Sequence, residues 1–134
     1  MTRPSTVALA LEAAARLTSA QILVAVCSGP RLMRLLGTVA RSADTPKDAD
    51  PRWPAARRVA RVVDRVGNLL PWHPVCLPRA MTTRAMLRRR EIPCELHLGV
   101  TSTAPLAAHA WVTVGGRVVQ GGPVAKVTPL ATLR

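Results

Sequence analysis

CLPRAMTTRAMLRRR, residues 76–90, followed by CELHLGV, residues 94–100, and HAWVTVGGRVVQ, residues 109–120, decides the fold. The first segment reads as a helix. Pro78 is tolerated there because a first-turn N–H has no intrahelical partner, and Arg88, Arg89 and Arg90 fall at the end that the helix dipole favours for cations. The next two segments alternate as strands do. Cys94, Leu96, Leu98 and Val100 share one face and Glu95 and His97 the other, while Ala110, Val112 and Val114 alternate with His109, Trp111 and Thr113. Gly115-Gly116 is a tight-turn signal, so residues 117–120 should return as a hairpin strand. A helix feeding a small antiparallel sheet, with further helices upstream, predicts an α+β fold.

Two residues in this stretch carry chemistry. Cys76 opens the helix, where unpaired N–H groups and the helix dipole favour thiolate over thiol. His109 starts a strand, and an imidazole brought alongside the thiolate could pair with it and later protonate a leaving amine. The two are far apart in sequence and meet only in the fold, the usual pattern of Cys–His hydrolases. Cys27 and Cys94 read as small buried apolar groups. His73 reads as a loop residue, His97 as structural or surface. Trp111 reads as core, and Trp72 as a candidate cleft wall.

Composition narrows the alternatives. The chain has 134 residues, enough for one domain with a single core, and 49% of them are apolar. Lys+Arg 19 against Asp+Glu 7 gives +12, a balance open to acidic proteins, anionic lipid or nucleic acid. Three tryptophans with no Phe or Tyr make a poor stacking surface, which argues against nucleic acid as the partner. Three cysteines without Cys-x-x-Cys spacing, and histidines scattered at 73, 97 and 109, spell no zinc site. They fit a reducing cytoplasm better than a disulfide framework. No metal and no cofactor is expected.

Upstream, Val7 to Val26 is apolar enough to raise a membrane question, but Glu12 and Arg16 interrupt it. A helix packed in the domain or against a partner is the expectation, capped by Ser5 or Thr6 and ended by Gly29-Pro30, with no membrane span. Leu32, Leu35, Leu36 and Val39 suggest a short second helix, and residues 41–51 an exposed loop. Another helix should start near Pro54, with Val59, Val62, Val63 and Val66 as its apolar stripe and Gly67 as its stop. Arg57, Arg58, Arg61 and Arg65 lie on its other face, as a solvated surface or as a dock for an acidic partner. A single domain over 1–134 follows. Residues 1–67 form a helical N-terminal part, and residues 68–134 the catalytic helix plus antiparallel sheet.

The order and spacing of Cys-Leu, the three arginines, Gly-Val and His-Ala-Trp-Val resemble the leader peptidases of lasso-peptide biosynthesis, which are transglutaminase-like, papain-related cysteine peptidases. The resemblance covers about residues 72–120. It implies a cysteine peptidase that removes the leader from a ribosomally made precursor peptide. The implied partners are that leader, a small leader-recognition protein and a lasso cyclase. Residue by residue, Cys76 matches the nucleophile and His109 the general base. The family's third member, an Asp about a dozen residues past the His, has no counterpart, since no acid follows Glu95. Gln120 stands in that region and could orient the imidazole as an amide; Glu95 is the alternative. Glu91 stands where the family has a Gly in the left-handed cap of the catalytic helix. Two other readings remain open at this point: acyl transfer by the same Cys–His pair, and a non-catalytic basic adaptor for an acidic protein or nucleic acid.

Overall fold

The computed structural model describes residues 5–26, 31, 39–40, 50–101, 108–122 and 127–133. These residues form three helices, α1 (Thr6–Val26), α2 (Trp53–Leu69) and α3 (Cys76–Arg89). The strands are β1 (Val39–Ala40), β2 (Glu95–Thr101), β3 (Ala108–Val114), β4 (Arg117–Gln120) and β5 (Val127–Leu133). They make one antiparallel sheet in the order β1-β5-β2-β3-β4, and the fold is α+β.

The helices pack on one another and on one face of the sheet. Leu9, Ala13, Leu17 and Ala20 recur at helical spacing along α1 and are buried with Val59 and Val63 of α2, Met86 and Leu87 of α3, and Ala110, Val112 and Val114 of β3. Ser5 caps α1 by accepting a bond from the Ala8 N–H at 3.1 Å. By length and composition α1 could cross a membrane. Its one acid, however, is engaged inside the fold: Glu12 pairs with Arg16, Arg89 and Arg90, at 3.2, 3.2 and 2.6 Å. The hydrogen bond from Arg90 does most to hold the Glu12 carboxyl down to about 2, against the opposing effect of burial. This cluster ties α1 to the C-terminal end of α3.

Several expectations meet the structure at single residues. Pro54 does sit in the first turn of α2, but Gly67 does not end that helix, which runs on to Leu69. Gly67 is buried there because the Arg79 guanidinium lies against it: a Cβ would stand 2.9 Å from Arg79 Cζ. Glu91 adopts the left-handed conformation expected of the cap, at φ 57°, and the Ile92 N–H returns to the Leu87 carbonyl at 3.0 Å. Val39 belongs to β1, opposite Leu133, and not to a helix. The other residues of the expected second helix, the Gly29-Pro30 stop, Cys27 and positions 41–49 lie outside the described residues. β5 was unmarked by periodicity, since Pro129 argues against a strand. A register shift at Leu98/Gly99 sets Gly99 opposite Pro129 and skips Leu130, so the pairing survives the missing donor.

Candidate active site

Helix α3 begins at Cys76 with Val75 as its N-cap, and no side chain caps that end. Pro78 has no N–H, and the Arg79 N–H reaches the Val75 carbonyl at 3.4 Å. The N–H groups of Cys76 and Leu77 are therefore the donors this helix end can direct at an anion. Cys76 is half-buried and lines a cavity of about 480 Å³. Asp64 and Asn68 of α2 line it too, one turn apart, with Arg79 of α3, Ala110 of β3, and Gln120, Gly121 and Gly122 at the end of β4.

The approach to Cys76 is held from α3 itself. Arg79 Nε donates to the Pro74 carbonyl at 2.8 Å and Nη2 to Asn68 Oδ1 at 2.9 Å, while Nη1 stands 3.4 Å from Asp64 Oδ1. One guanidinium thus fixes the chain two residues before Cys76 against α2. His73, at φ 39°, and Trp72, 45% exposed, precede this clamp. Trp72 does not line the cavity, contrary to the wall expected of it.

His109 does not line this cavity, but it touches a residue that does. Its Nε2 is 2.5 Å from the carbonyl of Gly121, a residue of the cavity wall. A carbonyl only accepts, so Nε2 carries a proton, and Nδ1 is the nitrogen left to give or take one. The ring also stacks on Trp111, centroids 5.9 Å apart, and Trp111 stacks in turn on His97 at 5.2 Å. His109 is thus fixed in tautomer by a backbone oxygen and in plane by an indole. Among the described residues no hydrogen bond joins Cys76 to His109. The fold brings the thiol into the cavity and the imidazole onto the carbonyl of a residue that lines it.

Gln120, expected to orient the imidazole, does something else. Its Nε2 donates to Asp64 Oδ1 at 3.2 Å, and its Oε1 is buried without a partner. The oxygen that meets His109 belongs to the next residue along, because the strand carries the Gln120 side chain toward α2 and turns the Gly121 carbonyl toward β3. Glu95, the alternative, sits opposite Thr113, two alternate positions along β3 from His109, and lies 3.9 Å from His97 instead. His97 is buried and bonds Thr113 Oγ1 at 2.8 Å, a structural role. Cys94, expected as a small buried apolar group, is partly buried against the core, and burial pushes its thiol up to about 11. Of the four α2 arginines, Arg57 is committed to the fold, donating to the Val119 carbonyl at 2.7 Å, whereas Arg61 and Arg65 are exposed.

Asp64, Asn68, Arg79 and Gly121 were not singled out from sequence. One signal existed: Asp64 is the only acid in the arginine-rich helix α2, and Asn68 falls one turn later on the same face.

An uncapped helix opening on a cysteine, packed against an antiparallel sheet that presents a histidine, defines a papain-like or transglutaminase-like arrangement. A sequence model of the transglutaminase-like superfamily matches residues 15–132, and the chain belongs to that family. Its general kind is that of cysteine peptidases and acyltransferases. No curated protein and no solved structure matches the chain.

Proposed function

We propose that this chain is a cysteine peptidase that removes the leader from a ribosomally synthesised precursor peptide during lasso-peptide biosynthesis. The observation that carries the reading is Cys76 as the first residue of an uncapped helix, opening into a cavity whose wall also supplies the carbonyl that holds His109. The order of motifs around these two residues supports the leader as substrate. In the reaction the Cys76 thiolate attacks the scissile carbonyl, and the N–H groups of Cys76 and Leu77 stabilise the oxyanion. The His109 imidazolium gives its Nδ1 proton to the leaving amine, which departs as the acyl-enzyme forms. Nδ1 then takes a proton from water as the hydroxyl attacks the thioester, releasing the acid and regenerating the thiolate. Throughout, Gly121 keeps Nε2 as the donor, so Nδ1 is the nitrogen that cycles.

The partners proposed with this activity are the leader, a small leader-recognition protein and the lasso cyclase. The location is the cytoplasm, where thiols stay reduced. Cys76→Ala should abolish cleavage of the precursor in the presence of the recognition protein, whereas Cys94→Ala should retain most of it. Mass spectrometry of the peptide products reads the outcome, and cleavage by Cys76→Ala would end the proposal.

A further inference from the structure

We infer that Asp64 is a positioning residue of this site, the acceptor that joins the half of the cleft carrying Cys76 to the half carrying His109. The inference rests on the peptidase reading and deepens it. Among the described residues Asp64 is the only carboxylate lining the cavity, and a single oxygen, Oδ1, faces both halves. On one side it meets Arg79 Nη1 at 3.4 Å, and that guanidinium holds the Pro74 carbonyl two residues before Cys76. On the other it accepts from Gln120 Nε2 at 3.2 Å, and the residue after Gln120 supplies the carbonyl that holds His109 Nε2.

The orphaned atom of Gln120 supports this independently. Gln120 is 5% exposed, yet its Oε1 has no partner. A buried acceptor left unpaired is costly, and turning the amide over would present that oxygen to the Asp64 carboxylate instead. The amide is therefore held in its orientation by Asp64, at the expense of its own other end. Among the described residues the charged groups lining the cavity with Cys76 are Asp64 from α2 and Arg79 from α3, while His109 of β3 meets the Gly121 carbonyl. Arg61 and Arg65 flank Asp64 on α2 but are exposed, and Glu95 of β2 stands beside His97. Because Asp64 acts through an accepting oxygen, asparagine at this position keeps the role and alanine loses it.

Two readouts on the full chain test this without a substrate. The first is alkylation of Cys76 by iodoacetamide between pH 5 and 10, followed by mass spectrometry of the peptide that carries the adduct. Asp64→Ala, a change to a good helix former at a part-exposed helical position, should slow alkylation about tenfold at pH 6 and leave it unchanged at pH 9.5, where the thiolate forms without help. Asp64→Asn should stay within about threefold of wild type throughout, well inside one pKa unit. The second readout is the nitrogen NMR of histidine-labelled protein. His109 should be a single Nε2–H tautomer in wild type and Asp64→Asn, and a tautomer mixture in Asp64→Ala. An unchanged tautomer in Asp64→Ala overturns the inference whatever the alkylation shows. So does a mixture in Asp64→Asn matching that in Asp64→Ala, because charge and not the acceptor would then be at work. A tautomer that responds as expected beside a wild-type Cys76 with an ordinary thiol profile would retain the positioning role and remove the peptidase reading.

Discussion

Replacing Gly121 by alanine separates a backbone partner for His109 from a side-chain one. Gly121 has φ +86°, a region that costs an L-residue about 1–2 kcal/mol. A Cβ there would stand 2.7 Å from the Ala110 carbonyl oxygen, 2.8 Å from Trp111 Cβ and 3.0 Å from Trp111 Cα. All three belong to or adjoin the backbone of a paired strand, so none can swing aside as the end of a long side chain would. The end of β4 must move instead, at a further cost of about 1–2 kcal/mol by analogy with overpacked cores. The sum, about 2–4 kcal/mol, lowers Tm by roughly 6–15 °C for a chain of this size. That movement also takes the Gly121 carbonyl off His109 Nε2, so kcat/KM should fall at least about tenfold even where the variant is fully folded. Gly122→Ala is the control. Among the described residues a Cβ at Gly122 meets only a side-chain carbon, Val118 Cγ1, at 3.3 Å, and should cost under about 1 kcal/mol. Thermal unfolding of both variants, with precursor cleavage well below either midpoint, makes the comparison. If Gly121→Ala melts and cleaves like wild type, the carbonyl does not orient the imidazole.

Three further outcomes follow from named contacts. Glu12 is held at about 2 against an ordinary 4.5, so its contribution is present above about pH 4.5 and is lost as pH falls toward 2. The exposure of Arg89 and solvent screening leave about 1–2 kcal/mol of it. Urea midpoints should therefore drop between pH 6 and pH 3 by more in wild type than in Glu12→Gln; parallel curves would remove Glu12 from the acid response. Glu91→Gly relieves a left-handed cap at φ 57° and should stabilise by about 0.5–1 kcal/mol, seen as a higher Tm, whereas a lower one would mean the Glu91 side chain contributes more than its backbone strain costs. Gly67→Ala replaces a mid-helix glycine, ordinarily a gain of about 1 kcal/mol. Here the new Cβ pushes on the mobile end of Arg79, so stability should change little while cleavage falls, as the Pro74 clamp loosens; full activity would show that the clamp is dispensable.

What could be read from the chain was what short-range rules encode. The start of α3 at Cys76, the β3–β4 hairpin at Gly115-Gly116 and the apolar stripe of α2 each depend on neighbours within a few residues, and each stands in the structure, whereas the left-handed position of Glu91 was legible through the family resemblance. β5 depends on a partner about thirty residues away, and Pro129 hides it from any local rule. Gly67 illustrates the same limit from the other side. A glycine near a helix end reads as a cap, yet this one is required by the close approach of Arg79, twelve residues later in the chain.

The third member of the site was the hardest to read, for a chemical reason. A sequence announces side chains, and past Glu95 the chain offers no acid, which leaves Gln120 as the amide in that region. On the reading proposed here the task is divided between two groups. A backbone carbonyl, which no residue type announces, fixes the imidazole's tautomer, and only a glycine fits where that carbonyl must lie, because a Cβ at 121 would strike β3. The carboxylate comes from α2, where a lone aspartate among arginines looks like part of a solvated face. Gln120 is the link between them, bonded to one and covalently next to the other. This division predicts an asymmetry that a conventional triad lacks. Changes at Gln120 should act through Gly121 and Asp64, so Gln120→Glu, which sets a carboxylate against Asp64 at the same site, should impair His109 more than Gln120→Met does, although glutamate is nearer in character to the family's acid.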